Sequence, residues 1–163
     1  MSFAPKQLRA FIQDVLNLFG QKANSSSFDS DSAVELLMLT AAQETHLGKY
    51  IKQVRGPALG IYQMEPNTHD DIWMNYICYR QNILDAMNDL YGVSGIEWRL
   101  RMRGDLIYQT IMSRIFYMRI PAALPAKDEP MSLAHYWKKY YNTKYGKGTP
   151  EEAYKNYNRF AFK

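Results

Sequence analysis

Glu44 is the residue whose type and spacing first suggest chemistry. It follows Leu37 by seven positions and Ala41 by three, so the apolar stripe of one helix, continued by a turn, ends in a carboxylic acid. A carboxyl there faces the core side of the domain. Burial disfavours its anion, and so does the partial negative charge at a helix C-terminus. Both raise its pKa, and an acid still protonated near neutrality is what general acid catalysis requires. The same spacing also admits an exposed glutamate on a frayed helix end. His46, His69 and His135, with Asp70 and Asp71, show no recognised metal-ligand spacing and read as scattered surface histidines. No phosphate-cradling glycine loop, Ser-His-Asp arrangement or nucleotide fingerprint is present.

The loop after Glu44 sharpens the choice. Arg55-Gly56-Pro57-Ala58-Leu59-Gly60-Ile61-Tyr62-Gln63-Met64-Glu65-Pro66-Asn67-Thr68, soon after Gln43-Glu44-Thr45, resembles the active-site signature of the lytic transglycosylases and the related goose-type lysozymes. In that family a helix ends in Glu-Ser, and a loop carries Gly-Ala-x-Gly-Leu-Met-Gln, a hydrophobic residue, x, and Pro-x-Thr. The matching positions are Glu44-Thr45, Ala58, Gly60-Ile61-Tyr62-Gln63, Met64, Pro66 and Thr68. Thr45 in place of serine keeps a hydroxyl, and Ile61-Tyr62 keeps apolar bulk. Further on, Tyr141-Asn142-Thr143, with Gly146 behind, resembles the family's Tyr-Asn-Ala-Gly segment, although the glycine comes later. The family's tyrosine on the preceding helix points to Tyr117.

The resemblance implies a mainly α, lysozyme-like domain that cleaves peptidoglycan glycan strands between N-acetylmuramic acid and N-acetylglucosamine, with Glu44 as catalytic acid and no metal or cofactor. It places Gln63 and Met64 in the cleft and makes Tyr62, Tyr117, Tyr141 and Asn142 substrate-binding candidates. Tyr141 is also suited to pack with Leu133 and Trp137, and Trp73 is either a sugar contact or a core residue. Transglycosylation needs one carboxyl, which protonates the leaving oxygen and then, as the carboxylate, activates the sugar's own hydroxyl to close an anhydro ring. A hydrolase needs help for a water. Goose-type lysozymes carry an aspartate two residues after the loop glutamine, where Glu65 stands here, so hydrolysis stays open. The alternative for Glu65 is a loop charge or a cap for a helix after Pro66.

Composition limits the partners. Twenty Lys and Arg against 16 Asp and Glu give +4, which favours a polyanion such as nucleic acid or an acidic wall polymer. Arg99, Arg101 and Arg103 alternate, and Lys138, Lys139, Lys144 and Lys147 cluster near Tyr140, Tyr141 and Tyr145. That pattern suits single-stranded nucleic acid or a solvated face that attracts wall polymer, and the motif favours the wall. Two readings of other classes stay open beside it: a virion structural or wall-binding protein with a degenerate catalytic fold, and a basic module that binds single-stranded nucleic acid. No stretch has the apolar length of a membrane span, and Lys6, Arg9 and Asp14 interrupt the N-terminal apolar residues where an export signal has a continuous core. The expectation is a monomer made in a host cytoplasm that acts on the wall, carried in a bacteriophage virion with other virion proteins or released at lysis. Cys78, inside the apolar run 72–79, is expected to be a buried thiol.

The elements that must position these groups read as almost entirely helical, in one domain over residues 1–163. Leu8, Phe11, Ile12, Val15, Leu16 and Phe19 form one helical stripe that ends at Gly20. Ser32 with Glu35 suggests a capping box opening a helix with Val34, Leu37, Met38 and Ala41 inward, stopping near Gly48. An ordered loop with at most a short β-hairpin in the 49–62 region follows. Further helices are expected at Ile83 to Tyr91, Ile107 to Met118 and Leu133 to Tyr141. A last one, opened by Thr149, Pro150 and Glu152, carries Tyr154, Tyr157 and Ala161 inward.

Overall fold

The computed structural model describes residues 2–92 and 97–162. In chain order its helices are α1 (Pro5–Lys22), α2 (Asp31–Thr45), α3 (Pro66–Asn75), α4 (Gln81–Tyr91), α5 (Trp98–Gly104), α6 (Leu106–Met118), α7 (Pro130–Trp137) and α8 (Pro150–Phe160). Proline opens α1, α3, α7 and α8, where its fixed φ suits the first turn and its missing N–H leaves nothing unpaired. The mainly α expectation holds. Two of the helices, α3 and α5, lie outside the periodic stripes read from the sequence. The hairpin expected in 49–62 reduces to isolated bridges, Lys52 with Leu59 and Leu59 with Met64.

α2 is the central element. Every residue from Leu36 to Ala42 is buried, so the single inner face expected of it was too narrow: α1, α6, α7 and α8 pack around it. Its cap is Ser30 rather than Ser32, because Ser30 has the extended backbone of an N-cap and its hydroxyl accepts from the Ala33 N–H. Glu35 is thereby released from capping. It takes Arg9 at 2.6 Å and the Tyr157 hydroxyl, tying α1 and α8 to α2. The core has two lobes, one around α2, α7 and α8 and one around α3, α4, α5 and α6, and Phe11 and Phe116 pack against both. Cys78 is exposed, contrary to expectation, since the short 3₁₀ turn Ile77–Tyr79 buries Ile77 alone. Among the described residues no helix is long and apolar enough to cross a membrane.

Candidate active site

Glu44 stands one residue from the end of α2, which stops at Thr45 rather than near Gly48. His46 takes the left-handed conformation at the C-cap and Leu47 follows at φ 59°, turning the chain sharply away. Thr45 fixes this end to the loop. Its buried hydroxyl donates to the Ile61 carbonyl at 2.7 Å and accepts from the Gly48 N–H at 2.9 Å. The hydroxyl at this position therefore has a definite structural task, which valine could not perform.

The loop turns at residues 60–63, between Leu59 and Met64, which exchange two backbone hydrogen bonds. Gly60 is required here: its φ is +76°, and a Cβ would stand 2.4 Å from both Gln109 Oε1 and the Met102 carbonyl. That Gln109 oxygen accepts the Ile61 N–H at 2.8 Å, so α6 holds the turn from behind. Gln63 also has positive φ, and its side-chain amide donates to the Gly60 carbonyl. A non-glycine residue in this conformation is strained, and it sits at the cleft wall.

The opposite wall comes from α7 and the π-helical turn Lys138–Asn142 that prolongs it. The wide turn brings Tyr141 across to the loop, where its hydroxyl donates to the Tyr62 carbonyl at 2.7 Å. Lys138 clasps the turn's exit through Asn142 Oδ1 at 2.7 Å and the Gly146 carbonyl at 2.9 Å. Between the walls lies an open cleft of about 800 Å³, lined by Glu44, Gln63, Met64, Tyr141 and Asn142 as expected, with Gln43, Gln53, Phe116, Trp137, Tyr145 and Lys147 besides.

Trp137, expected from the sequence only to pack, also meets the candidate site. It is fully buried, yet its indole N–H donates to Glu44 Oε1 at 3.1 Å. No local pattern marks this contact, because it joins residues 93 positions apart. Burial pushes the Glu44 carboxyl up to about 7, and the indole hydrogen bond, which favours the anion, partly opposes this. Glu44 thus titrates near neutrality with one oxygen fixed and the cleft in front of it. The Tyr141 phenol is held well above its ordinary range by burial and by the nearby Glu44 charge, so it remains a neutral donor.

Other expected residues are placed differently. Tyr62 and Tyr117 are buried and do not line the cleft. Tyr62 points inward to Thr110, and Tyr117 lies behind Tyr141 with its hydroxyl on Thr40, so neither ring reaches a substrate in this arrangement. Trp73 lies away from the cleft, donating to the Tyr108 hydroxyl. Glu65 occupies the N-cap position of α3 but makes no side-chain capping bond and lines the cleft instead, as does Glu152 at the start of α8. Asp70 pairs with His69 and Asp71 with Arg119, and neither lines the cleft. His69 is buried rather than a surface histidine, stacked on Trp98 with ring centroids 4.0 Å apart. Among the described residues no three His, Cys, Asp or Glu side chains are grouped to hold a metal ion. Comparison of the chain with protein-family models, with characterised proteins and with solved structures gave no match.

Proposed function

We propose that this protein cleaves the glycan strands of peptidoglycan between N-acetylmuramic acid and N-acetylglucosamine as a lytic transglycosylase, with Glu44 as the one acid and base. The observation that carries the reading is the Glu44 carboxyl: partly buried, held by the Trp137 indole, with its pKa near neutrality, and opening onto a cleft of about 800 Å³. The loop resemblance supplies the substrate class. In the forward step Glu44 gives its proton to the glycosidic oxygen and the bond to the anomeric carbon breaks, leaving an oxocarbenium-like centre. The resulting carboxylate then takes the proton of the sugar's own hydroxyl, whose oxygen bonds to that carbon. Glu44 ends protonated, and no water is consumed.

The lining suits such a ligand. Gln43, Gln53, Gln63 and Asn142 offer amides that can pair with N-acetyl groups, while Met64, Phe116, Tyr141 and Tyr145 present apolar surface to ring faces. A hydrolytic reading is kept because Glu65 and Glu152 line the same cleft and either carboxylate can serve a water. Delivery in a virion or release at lysis belongs to the same proposal. Turbidity loss of purified cell walls tests it: the protein clears them, and Glu44→Gln, equally folded, does not. Equal clearing by both removes Glu44 from the mechanism, and clearing by neither leaves a binding protein.

A further inference from the structure

A tongue projects from the loop before the cleft. Residues 49–58 double back on themselves: the Gln53 N–H donates to the Ala58 carbonyl and the Gly60 N–H to the Ile51 carbonyl, each at 2.9 Å. The Gln53 side chain folds against Gly56 inside the bend. This pinned backbone holds apolar side chains outward. Val54 is 77% exposed, Ile51 51% and Tyr50 38%, and no described element covers them. Interleaved with them are Lys49, Lys52 and Arg55, all exposed, and no acidic residue occurs anywhere from Thr45 to Met64. A concavity next to the tongue is lined by Lys49, Arg159 and His46; Arg159 adds to the positive field, while burial and the two cations lower the His46 pKa and favour its neutral form.

We infer that this tongue is a peripheral docking site for an anionic lipid surface. Apolar side chains that reach the acyl boundary, a tyrosine suited to the headgroup level, and cations whose stems lie along the apolar surface while their charges meet phosphates are the parts such contact needs. A purely polyanionic partner would use the cations and leave Val54 and Ile51 idle. A neutral protein groove would leave the cations idle. The site is separate from the chemistry at Glu44 and does not rest on the proposed reaction. It bears on where the reaction occurs, because Gln53 and Ala58 of the same tongue line the cleft: docking places the cleft mouth beside the membrane.

The test is flotation of the whole protein with vesicles of phosphatidylglycerol and phosphatidylcholine in equal parts, against vesicles of phosphatidylcholine alone. The expected result is binding to the anionic vesicles that weakens with salt. The double variant Lys52→Gln, Arg55→Gln should bind roughly 30-fold more weakly, at about a factor of five per cation. Ile51→Ser with Val54→Ser should lose at least about tenfold. Val54→Asn alone, neutral and at the most exposed position, gives the same reading if the double variant misfolds. Absence of binding to anionic vesicles overturns the inference. So does equal binding to the neutral ones. Unchanged binding by both the serine and the asparagine variants would show simple charge attraction and overturn the lipid assignment.

Discussion

Glu44 and His69 are both titratable groups held in low-dielectric surroundings, and what lies on their open sides separates them. His69 is 2% exposed and enclosed in a completed chain of hydrogen bonds. In the tautomer with its proton on Nδ1, the ring donates to Asp70 at 3.0 Å, its Nε2 accepts from the Tyr108 hydroxyl at 2.7 Å, and that hydroxyl accepts from the Trp73 indole. Trp98 closes the ring face, and the cleft is elsewhere. Among the described residues Glu44 has one hydrogen-bond partner, Trp137, and the carboxyl lines the cleft. Desolvation acts on both, lowering the His69 pKa and raising that of Glu44. A perturbed pKa therefore identifies burial, and only access to a ligand-sized space turns burial into chemistry.

Four substitutions or conditions can break that distinction. The largest effect belongs to Glu44→Gln, which should lower wall cleavage by at least about 100-fold while the melting transition stays cooperative. Trp137→Phe comes next, with a loss of roughly tenfold at the optimum because one Glu44 oxygen is released. Its signature is the pH profile. The indole bond favours the carboxylate, so removing it moves the alkaline limb above about 7, and an unmoved or lowered limb would separate Trp137 from the acid.

His69→Phe should do the reverse of Glu44→Gln. Stranding the Tyr108 hydroxyl and Asp70 costs about 2 kcal/mol of stability, read by denaturant titration, while activity per folded molecule stays within about threefold. A large activity loss in the folded variant would join His69 to the site. The smallest effect is the pH dependence of stability. The folded-state pKa of Glu44 lies above its ordinary 4.5, so the native protein binds that proton more tightly. The stabilisation is complete below about 4.5 and is lost as pH rises through 7. Glu44→Gln should accordingly gain on the native protein, by about 2 kcal/mol at pH 8 after allowance for contact with cleft water and by nothing at pH 4. His69 acts with the opposite sign, since its lowered pKa costs stability as pH falls below about 6.5.

The sequence was most informative where a residue's task is local. Gly60, Thr45 and Gln63 lie within one turn and one helix end, and their types already specify a tight bend beside a hydroxyl lock. The α1 stripe and the Thr149 cap were legible for the same reason, each being a matter of periodicity or of three neighbouring residues. Trp137 was not, because its pairing with Glu44 spans 93 positions and depends on α7 crossing α2. Tyr62 and Tyr117 failed differently. Their hydroxyls find buried partners in Thr110 and Thr40, and a tyrosine satisfied inside the core has the same sequence signature as one that meets a sugar. Ser30 displaced Ser32 as the cap because four serines and aspartates stand in succession at residues 29–32, and backbone conformation decides among them.

The most direct measurement of the account is mass analysis of the glycan ends released from purified peptidoglycan digested in heavy-oxygen water. With Glu44 acting alone, the ends should be anhydromuramic acid, lighter by one water than reducing ends and carrying no solvent oxygen at the cleaved carbon. Reducing muramic ends that carry the heavy label would contradict it. A water would then be the nucleophile, and Glu65 or Glu152, the other carboxylates of the cleft, would have to serve it.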